Sequence, residues 1–328
     1  MAMDVDALVD RRRLRRKVTF WRVATFLVAA LVLIGGLVYF AGAANMSKRS
    51  AHIARIPIEG MILENRKTLE MLEKIGKSDA VKGVIVSINS PGGSTTGGEA
   101  IYNALRKLSE KKPVVAEMRT IGTSAGYLIA MSADHIVARY NTITGSIGVL
   151  FQFGNFEKLL ETVGVSMEAV KSAPLKAEPD FYSPATPEAK AMLQAMVTDS
   201  YNWFVDILAE RRDLDKSKAL ELADGRVLLG QRALQERLVD AIGGEETAVS
   251  WLETEKGVAK DLPVITWTTT ESIEELPFAS RVSREVGKGF GLAVLEPLNE
   301  AKGLISRDLM LDGLVSVWQA PVAADKKP

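Results

Sequence analysis

The stretch GVIVSINSPGGS, residues Gly83–Ser94, joins an almost wholly apolar run to a glycine-rich turn. Such a run is typical of a parallel strand that is buried on both faces of a sheet. Glycines that follow a strand allow the backbone to turn tightly and to approach a ligand. The lysine and hydroxyl spacing of a phosphate-binding loop is missing, so the turn is interpreted either as an oxyanion hole or as a tight structural turn.

Strand-like and helix-like segments alternate on both sides of this stretch. The predicted strands are Ile53–Ile58, Gly83–Asn89, Val114–Met118, His135–Ala138, Ile147–Phe151 and Val264–Thr270. The predicted helices are Glu64–Ile75, Gly97–Leu108, Ser124–Ser132 and Glu188–Arg212, the last with an apolar stripe at Met192, Met196, Trp203 and Ile207. This alternation predicts an α/β fold in which helices cover a parallel sheet. Prolines punctuate the segment between Lys171 and Pro187, which is therefore predicted to be a loop.

Composition and charge exclude several classes of protein. The 328 residues include 41 Lys plus Arg and 41 Asp plus Glu, so no overall basic charge indicates a nucleic acid partner. Cysteine is absent, which excludes disulfides, cysteine nucleophiles and thiolate metal sites. The histidines are His52 and His135. A serine hydrolase built on this chain is therefore expected to use a base other than histidine.

The amino-terminal region combines a basic cluster with a long uncharged run. Arginine and lysine crowd residues 11–22, and residues 23–44 carry no charge. As a helix, the uncharged run would extend roughly 33 Å, which is enough for the hydrocarbon core of a bilayer. A cleaved signal peptide is the alternative, although its apolar region is usually only about 7–15 residues long. We therefore expect a retained transmembrane helix, with the amino terminus in the cytoplasm and the rest of the chain across the membrane.

A second glycine-rich turn, Gly122–Gly126 (GTSAG), lies between a predicted strand and a predicted helix. A serine flanked by small residues at such a junction can expose its hydroxyl, as in a nucleophile elbow. The alternative is that Ser124 is an ordinary helix N-cap, where serine is common. Taken alone, this segment leaves both interpretations open.

A serine nucleophile needs a base, and lysine is the remaining option. A lysine in apolar surroundings loses its proton more readily, and Ser–Lys pairs catalyse hydrolysis on unrelated folds. Lys176 lies in an apolar, proline-bounded segment, Ala173–Ala177 (APLKA). Lys171 is its competitor, and most lysines are simply surface charges.

Together these residues resemble a known family. The chain is similar to the short bacterial signal peptide peptidases of serine peptidase family S49, within the Clp protease/crotonase superfamily, over about Ile53–Leu252. The resemblance rests on an ordered set of motifs: INSPGGS at Ile88–Ser94, GTSAGY at Gly122–Tyr127, TGSIGV at Thr144–Val149, LKAEP at Leu175–Pro179 and DGRVLLGQRALQERLVDAIGG at Asp224–Gly244.

The resemblance implies a role for three side chains. Ser124 would be the nucleophile, Lys176 the general base, and Ser146 the residue that holds the lysine amine by a hydrogen bond. Relatives often have an aromatic residue before the lysine where this chain has Leu175, and this departure weakens the choice of Lys176 over Lys171.

The resemblance also implies an oxyanion hole made of backbone amides. One N–H would come from Gly92 or Gly93 and the other from Ala125, and no metal or organic cofactor is implied. A second departure is Arg237, which replaces the glycine of the family's usual GLVD motif and is expected to alter a turn and not the chemistry.

The implied organisation is a Clp protease/crotonase-like sheet behind one transmembrane helix. The chain would comprise a cytoplasmic basic segment (1–22), a transmembrane helix (23–44), a linker (45–52), a peptidase domain (53–256) and a carboxy-terminal extension (257–328). The catalytic domain would lie on the periplasmic side of the bacterial inner membrane. Its partners would be the bilayer, peptide substrates such as residual signal peptides, and further copies of the chain in a homo-oligomer that shares active sites between subunits.

Two other functions stay open at this point. The chain could be a membrane-anchored scaffold with an inactive site, which the complete set of Ser124, Ser146 and Lys176 disfavours. It could also be a crotonase-type acyl-CoA enzyme, because crotonases use paired loop amides as an oxyanion hole. Cytoplasmic placement of residues 53–328 would favour that second alternative.

Overall fold

The computed structural model describes residues 17–29, 31–32, 48–269 and 315–317. The chain divides into two units, one formed by residues 1–50 and 270–301 and the other by residues 51–269 and 302–328. In the first unit, residues 17–29 and 31–32 are helical. Within the described residues, no helix is both long and apolar enough to cross a membrane. Most of the predicted span, residues 23–44, lies outside the part of the chain that the structure describes.

The second unit is built on one sheet, to which the described residues contribute nine strands. The strands are β1 (His52–Ile62), β2 (Val81–Ser94), β3 (Val114–Thr123), β4 (His135–Ala138), β5 (Ile143–Gly145), β6 (Val227–Leu229), β7 (Ala241–Ile242), β8 (Val264–Thr266) and β9 (Val315–Val317). Their main order is β6-β5-β3-β2-β1-β8, while β4 pairs with β3 and β7, and β9 pairs with β2.

Helices connect and cover these strands. They are α1 (Arg66–Lys77), α2 (Thr95–Ser109), α3 (Ala125–Ala130), α4 (Glu157–Thr162), α5 (Pro187–Arg212), α6 (Lys216–Leu222), α7 (Gly230–Gln235) and α8 (Glu245–Glu255). The α/β class predicted from the sequence is confirmed. Most strand pairs are parallel, and the departures are β6 on β5 and β9 on β2, which are antiparallel.

Strand β2 is buried on both faces, as its apolar run predicts. Val84, Val86 and Ile88 face the larger core, which α1, α2 and α3 cover. Ile85 faces a second core, to which α8 contributes Leu252. Because both faces of β2 are fixed by packing, its carboxyl end has a fixed position, and the glycine-rich turn begins there.

The sequence misplaces one strand and overstates one apolar stripe. The predicted strand Ile147–Phe151 is wrong, since the pairing segment is β5 and the chain leaves it at Gly145 and Ser146, which have φ of 82° and 51°. Positive φ is uncommon in extended backbone, and here it marks the turn that ends β5. In α5, Met196 is 44% exposed, so the predicted stripe packs only in its carboxy-terminal half, around Ile207.

A long segment between β5 and α5 has almost no buried side chains. Residues 150–186, named here the arm, contain the short helix α4 and otherwise irregular backbone, as predicted for the part after Lys171. The arm exposes a series of large apolar side chains: Leu150, Phe153, Phe156, Leu159, Val163, Val165, Met167, Val170, Leu175 and Phe181. Exposed apolar surface of this kind marks an interaction site in soluble proteins.

Two strands come from the region predicted to be a carboxy-terminal extension. Strand β8 pairs in parallel with β1, and β9 pairs antiparallel with Gly92–Ser94 of β2. Parts of residues 257–328 therefore complete the sheet.

At Arg237, where the family's usual motif has glycine, φ is 62°, so the residue does lie in a turn that favours glycine.

Candidate active site

Sheet pairing brings the two glycine-rich turns together. Ser90 of β2 pairs with Gly122 of β3, so both turns leave the same carboxyl edge of the sheet. The Thr123 hydroxyl donates a hydrogen bond to the Pro91 carbonyl at 2.9 Å. A Cβ on Gly126 would lie 3.1 Å from the Ser90 carbonyl oxygen, so a small residue is needed where α3 passes the first turn. The loop SPGG and the serine turn are thus in direct contact.

The third motif, TGSIG, is held against the same edge by β5. Gly122 pairs with Thr144, whose hydroxyl donates to the Gly122 carbonyl at 2.8 Å. The Ser124 backbone N–H donates to the Gly145 carbonyl at 2.9 Å. Ser146 follows directly and is nearly buried, and its N–H donates to the Arg226 carbonyl at 2.7 Å. Ser146 therefore directly follows Gly145, whose carbonyl accepts the hydrogen bond from the Ser124 backbone N–H.

Ser124 has an unusual backbone conformation. It precedes α3 with φ of 55° and ψ of −120°, and its side chain caps no N–H of that helix. An ordinary N-cap is seen at Ser94, where φ is −68°, ψ is 142° and the hydroxyl accepts from Gly97 N–H at 3.1 Å. The N-cap interpretation of Ser124 therefore fails. A serine held in a sparsely populated conformation at a strand-to-helix turn has the geometry of a nucleophile elbow.

The amides predicted to form an oxyanion hole lie on both sides of this elbow. Gly92 has φ of 114°, and its N–H donates to the Ser90 hydroxyl at 3.1 Å. A Cβ on Gly93 would lie 1.9 Å from the Ile62 carbonyl oxygen, so no other residue fits there without backbone movement. Ala125 is buried at the first position of α3, where backbone N–H groups have no partner within the helix. The Gly92 N–H donates to Ser90, and Gly93 pairs with both β1 and β9 in the sheet.

Lys176 is the predicted site residue that the structure does not bring to this edge. It lies in the exposed arm, in a turn where its backbone N–H donates to the Ala173 carbonyl at 3.0 Å. Its side chain makes no hydrogen bond or ion pair with another described residue. Within one chain the described contacts therefore join the elbow, Ser146 and the glycine turn, and none of them involves the side chain of the predicted base.

The competing lysine, Lys171, is engaged in ion pairs. Its Nζ lies 2.6 Å from a Glu178 carboxylate oxygen and 3.2 Å from an Asp180 carboxylate oxygen. The hydrogen bond to Glu178 and then that to Asp180 raise the pKa of Lys171 above its ordinary value. A lysine that stays protonated cannot accept the serine proton. This arrangement favours Lys176 over Lys171 as the base.

Both histidines lie at the opposite end of the sheet from Ser124. His52 and His135 begin β1 and β4, whereas Ser124 follows the carboxyl end of β3. His52 is fully buried and accepts a hydrogen bond from Trp267 Nε1 at 3.1 Å, so it is a structural residue. His135 stacks on the Trp251 ring at 4.8 Å, and burial lowers its pKa.

Sequence reasoning missed the two threonines that join the motifs. The Thr123 and Thr144 hydroxyls bind backbone carbonyls of neighbouring strand ends, and this pairing depends on register that a single sequence does not reveal.

Among the described residues, no three His, Cys, Asp or Glu side chains are grouped so that they could hold a metal ion.

The chain matches two families of known proteins. It matches Peptidase family S49 over residues 106–259 and Clp protease over residues 59–147. It is 43% identical over 210 residues to "Putative protease slr0021" of Synechocystis sp., and the match covers 64% of this chain and 76% of that protein. The chain belongs to peptidase family S49.

Two further relatives support the same assignment. Protease 4 of Haemophilus influenzae is 33% identical over 235 residues, covering 67% of this chain and 38% of that protein. The chloroplastic serine protease SPPA of Arabidopsis thaliana is 30% identical over 258 residues, covering 78% of this chain and 37% of that protein. The chain is therefore a serine peptidase of family S49, which acts on peptides, and the resemblance inferred from the motifs is confirmed.

The strain at Ser124 leads to a first prediction. Glycine adopts φ of 55° without strain, whereas alanine is strained there. The free energy of unfolding of Ser124→Gly should therefore be about 1 kcal/mol higher than that of Ser124→Ala. Urea denaturation of the two variants measures the difference.

Ser200, in the interior of α5, provides the matched control. There the order should reverse, because glycine is less favourable than alanine in a helix interior by about 1 kcal/mol. Equal stability of the two Ser124 variants would contradict the strained geometry.

Proposed function

We propose that this S49 peptidase is a membrane-anchored endopeptidase that uses a Ser124–Lys176 dyad. The observation that carries the proposal is the strained Ser124 elbow, packed directly against a loop of glycine amides. This arrangement presents a nucleophile beside hydrogen-bond donors, which is the requirement for acyl transfer.

The reaction follows from the roles of these groups. The neutral amine of Lys176 accepts the Ser124 hydroxyl proton as the oxygen attacks the scissile carbonyl. The amides of Gly93 and Ala125 stabilise the negative charge that develops on the carbonyl oxygen, and each such donor is typically worth about 3–4 kcal/mol. The ammonium of Lys176 then protonates the amine of the leaving peptide. The lysine, now neutral again, activates a water molecule that hydrolyses the acyl-enzyme. Ser146 orients the lysine amine in this scheme.

The substrate would bind as an extended strand along β2. Support comes from β9, because Val315–Val317 already pairs antiparallel with Gly92–Ser94. The edge beside the glycine turn thus accepts an extended segment through main-chain hydrogen bonds, which is the mode of β-strand addition. A peptide in the place of β9 would run past the proposed oxyanion donors, and main-chain pairing suits substrates of varied sequence such as residual signal peptides.

The base would reach Ser124 from a neighbouring subunit. Lys176 is exposed on the arm, and the arm carries a series of exposed apolar side chains on either side of it. Contact between the arm of one subunit and another subunit would bury this surface and deliver the lysine amine. The proposal therefore includes a homo-oligomer with active sites shared between subunits.

Labelling and cleavage test the dyad. Purified full-length protein should react with a serine-reactive fluorophosphonate and cleave an unfolded protein or a signal peptide. Ser124→Ala should abolish labelling and lower kcat/KM at least about 10³-fold, and Lys176→Ala should lower it at least about 10²-fold, because the nucleophile and its base act as a unit.

Matched controls separate chemistry from damage to the fold. Ser109→Ala removes another partly buried serine, and Lys158→Ala removes another exposed lysine of the arm. Both should keep wild-type activity. A fully active Lys176→Ala protein would refute the assigned base, while absence of labelling in folded wild type would favour an inactive peptide-binding scaffold.

Mixing experiments test the shared site. Ser124→Ala and Lys176→Ala subunits, each inactive alone, should regain roughly a quarter of wild-type activity when mixed and reassembled, since one subunit supplies serine and the next supplies lysine across a head-to-tail contact. The measurement is peptide cleavage by equimolar mixtures. No recovery in mixtures that demonstrably co-assemble would place the dyad within one chain.

Cell fractionation tests the anchor and the location. Residues 23–44 carry no charge and follow a basic cluster, so the full-length protein should stay in the membrane fraction after a high-salt wash, with residues 53–328 on the periplasmic side. Removal of residues 1–46 should release it. Recovery of full-length protein in the cytoplasm would contradict the anchor.

A further inference from the structure

The edge of the sheet opposite Ser124 carries a local excess of basic side chains. Strands β1 and β2 begin at this edge, and α1 and α2 end there because they run back against the parallel strands. Two segments form this surface, residues 73–82 and residues 106–112, named here the basic edge. It holds seven basic and three acidic side chains, whereas the whole chain has 41 of each: Lys74, Lys77, Lys82, Arg106, Lys107, Lys111 and Lys112 against Glu73, Asp79 and Glu110.

Direct contacts join the two segments of the basic edge. Lys112 Nζ donates to the Ser78 carbonyl at 2.8 Å and to the Val81 carbonyl at 2.9 Å. A Cβ on Gly76 would lie 4.0 Å from Lys111 Cδ, so the stem of that lysine lies against α1. The two segments therefore form one surface, and their charges act together.

Helix ends explain only part of this charge. Lysine in the last turn of a helix interacts favourably with the helix dipole, which accounts for Lys74, Lys77 and Lys107. Lys82 and Lys111 lie outside both helices and are exposed. The excess is therefore larger than the stability of α1 and α2 requires.

Neighbouring acidic groups reduce the charge without cancelling it. Asp134, which precedes β4, accepts a hydrogen bond from the Val114 N–H at 3.1 Å. With its carboxylate counted, seven basic groups stand beside four acidic ones, which leaves a net charge of +3. Where α8 ends, residues 253–261 carry two basic and three acidic side chains. The basic excess is thus confined to the ends of α1 and α2.

The chain enters the sheet through the basic edge. The His52 N–H donates to the Ala80 carbonyl at 2.9 Å, in the turn between Lys77 and Lys82. Seven residues separate His52 from residues 23–44, the predicted transmembrane helix. A linker of that length reaches at most about 28 Å. If residues 23–44 span a membrane, the basic edge is held within that distance of the bilayer.

We propose that the basic edge docks on the anionic phospholipid headgroups of the membrane that holds the anchor. Lysines close to an anionic bilayer are attracted to it, and the attraction falls off over about 8–10 Å at moderate salt, which is within reach of the linker. The inference rests on the proposed anchor, residues 23–44. It adds to that anchor a lipid partner and an orientation of the peptidase domain.

Docking in this orientation turns the proposed active site away from the bilayer. Strand β2 runs from Val81 at the basic edge to Ser90 beside the serine turn. Nine steps of about 3.3 Å give a separation of about 30 Å between the two edges. The site would therefore receive peptide segments that extend roughly that far from the membrane surface, and not segments still embedded in it.

Fluorescence quenching in lipid nanodiscs tests the docking. The chain has no cysteine, so Asp79→Cys creates a single labelling site on the basic edge, and Glu64→Cys creates one at the opposite edge with the same loss of charge. The full-length protein is placed in discs of phosphatidylcholine, with or without phosphatidylglycerol, that contain a lipid with a nitroxide headgroup. Quenching of the label at position 79 should be at least about twofold greater in the anionic discs.

Salt and the second label check the physical basis of this result. The difference between anionic and neutral discs should disappear in 1 M salt, where the screening length is about 3 Å. The label at position 64 should show little quenching in either kind of disc. Stronger quenching at position 64 than at position 79 would overturn the proposed orientation.

Two triple variants with the same change in charge test the lysines in the Asp79→Cys protein. The first should lose most of the increase in anionic discs, because it removes exposed charge from the basic edge: Lys74→Gln, Lys107→Gln and Lys111→Gln. The second should keep the increase, because it removes exposed lysines elsewhere: Lys67→Gln, Lys158→Gln and Lys190→Gln. Unchanged cleavage of a soluble peptide in detergent shows that both variants are folded.

The outcomes distinguish this inference from the proposed function. Equal quenching of the label at position 79 in neutral and anionic discs would overturn the docking while leaving the anchor intact. An equal loss in the two triple variants would overturn the assignment to the basic edge. A full-length protein that does not enter the discs would refute the anchor itself and the inference with it.

Discussion

The parallel pairing of β2, β3 and β5 at their carboxyl ends is the constraint on which the site depends. Ser90 pairs with Gly122, and Gly122 pairs with Thr144, so three separate motifs end at one edge. Burial of β2 on both faces opposes a slip in register, because a shift of one residue would move each side chain from one close-packed core into the other, where it does not fit. The two threonine hydroxyls then fix the strand ends to each other. The elbow at Ser124 is held by this frame and not by its own sequence.

Sequence alone predicts the layers of this fold and the edge where its chemistry lies. The apolar run Gly83–Asn89 shows which strand is central, and the glycines after it show where the backbone must turn. The sequence misplaces β5, because a three-residue strand has too short a pattern and the apolar residues after Gly145 imitate one. The antiparallel addition of β9 is likewise invisible, since main-chain pairing leaves no signature in side chains. The motif series identified family S49 and implied roles for Ser124 and the glycine turn, whereas local pattern alone left the N-cap alternative open.

The proposed base illustrates a different limit of sequence reasoning. Lys171 and Lys176 stand in the same proline-rich segment, and nothing in their spacing separates them. Tertiary structure separates them at once, because Glu178 and Asp180 engage one lysine and leave the other exposed. The segment has no core of its own, so its ion pairs and turn replace hydrophobic packing as the source of order. A residue that must meet a partner surface is well served by such a loop, since its tip remains accessible.

The backbone of Ser124 also bears on how this chain evolves. A residue at φ of 55° and ψ of −120° costs of order 1–3 kcal/mol, which is a noticeable fraction of the stability of a folded domain. One codon change from serine to glycine would relieve that cost, so selection for stability alone would remove the hydroxyl. In a lineage that needed only a peptide-binding scaffold, the position would drift toward glycine because nothing would oppose the gain. A serine in this conformation is therefore expected where the hydroxyl is needed for the reaction proposed above.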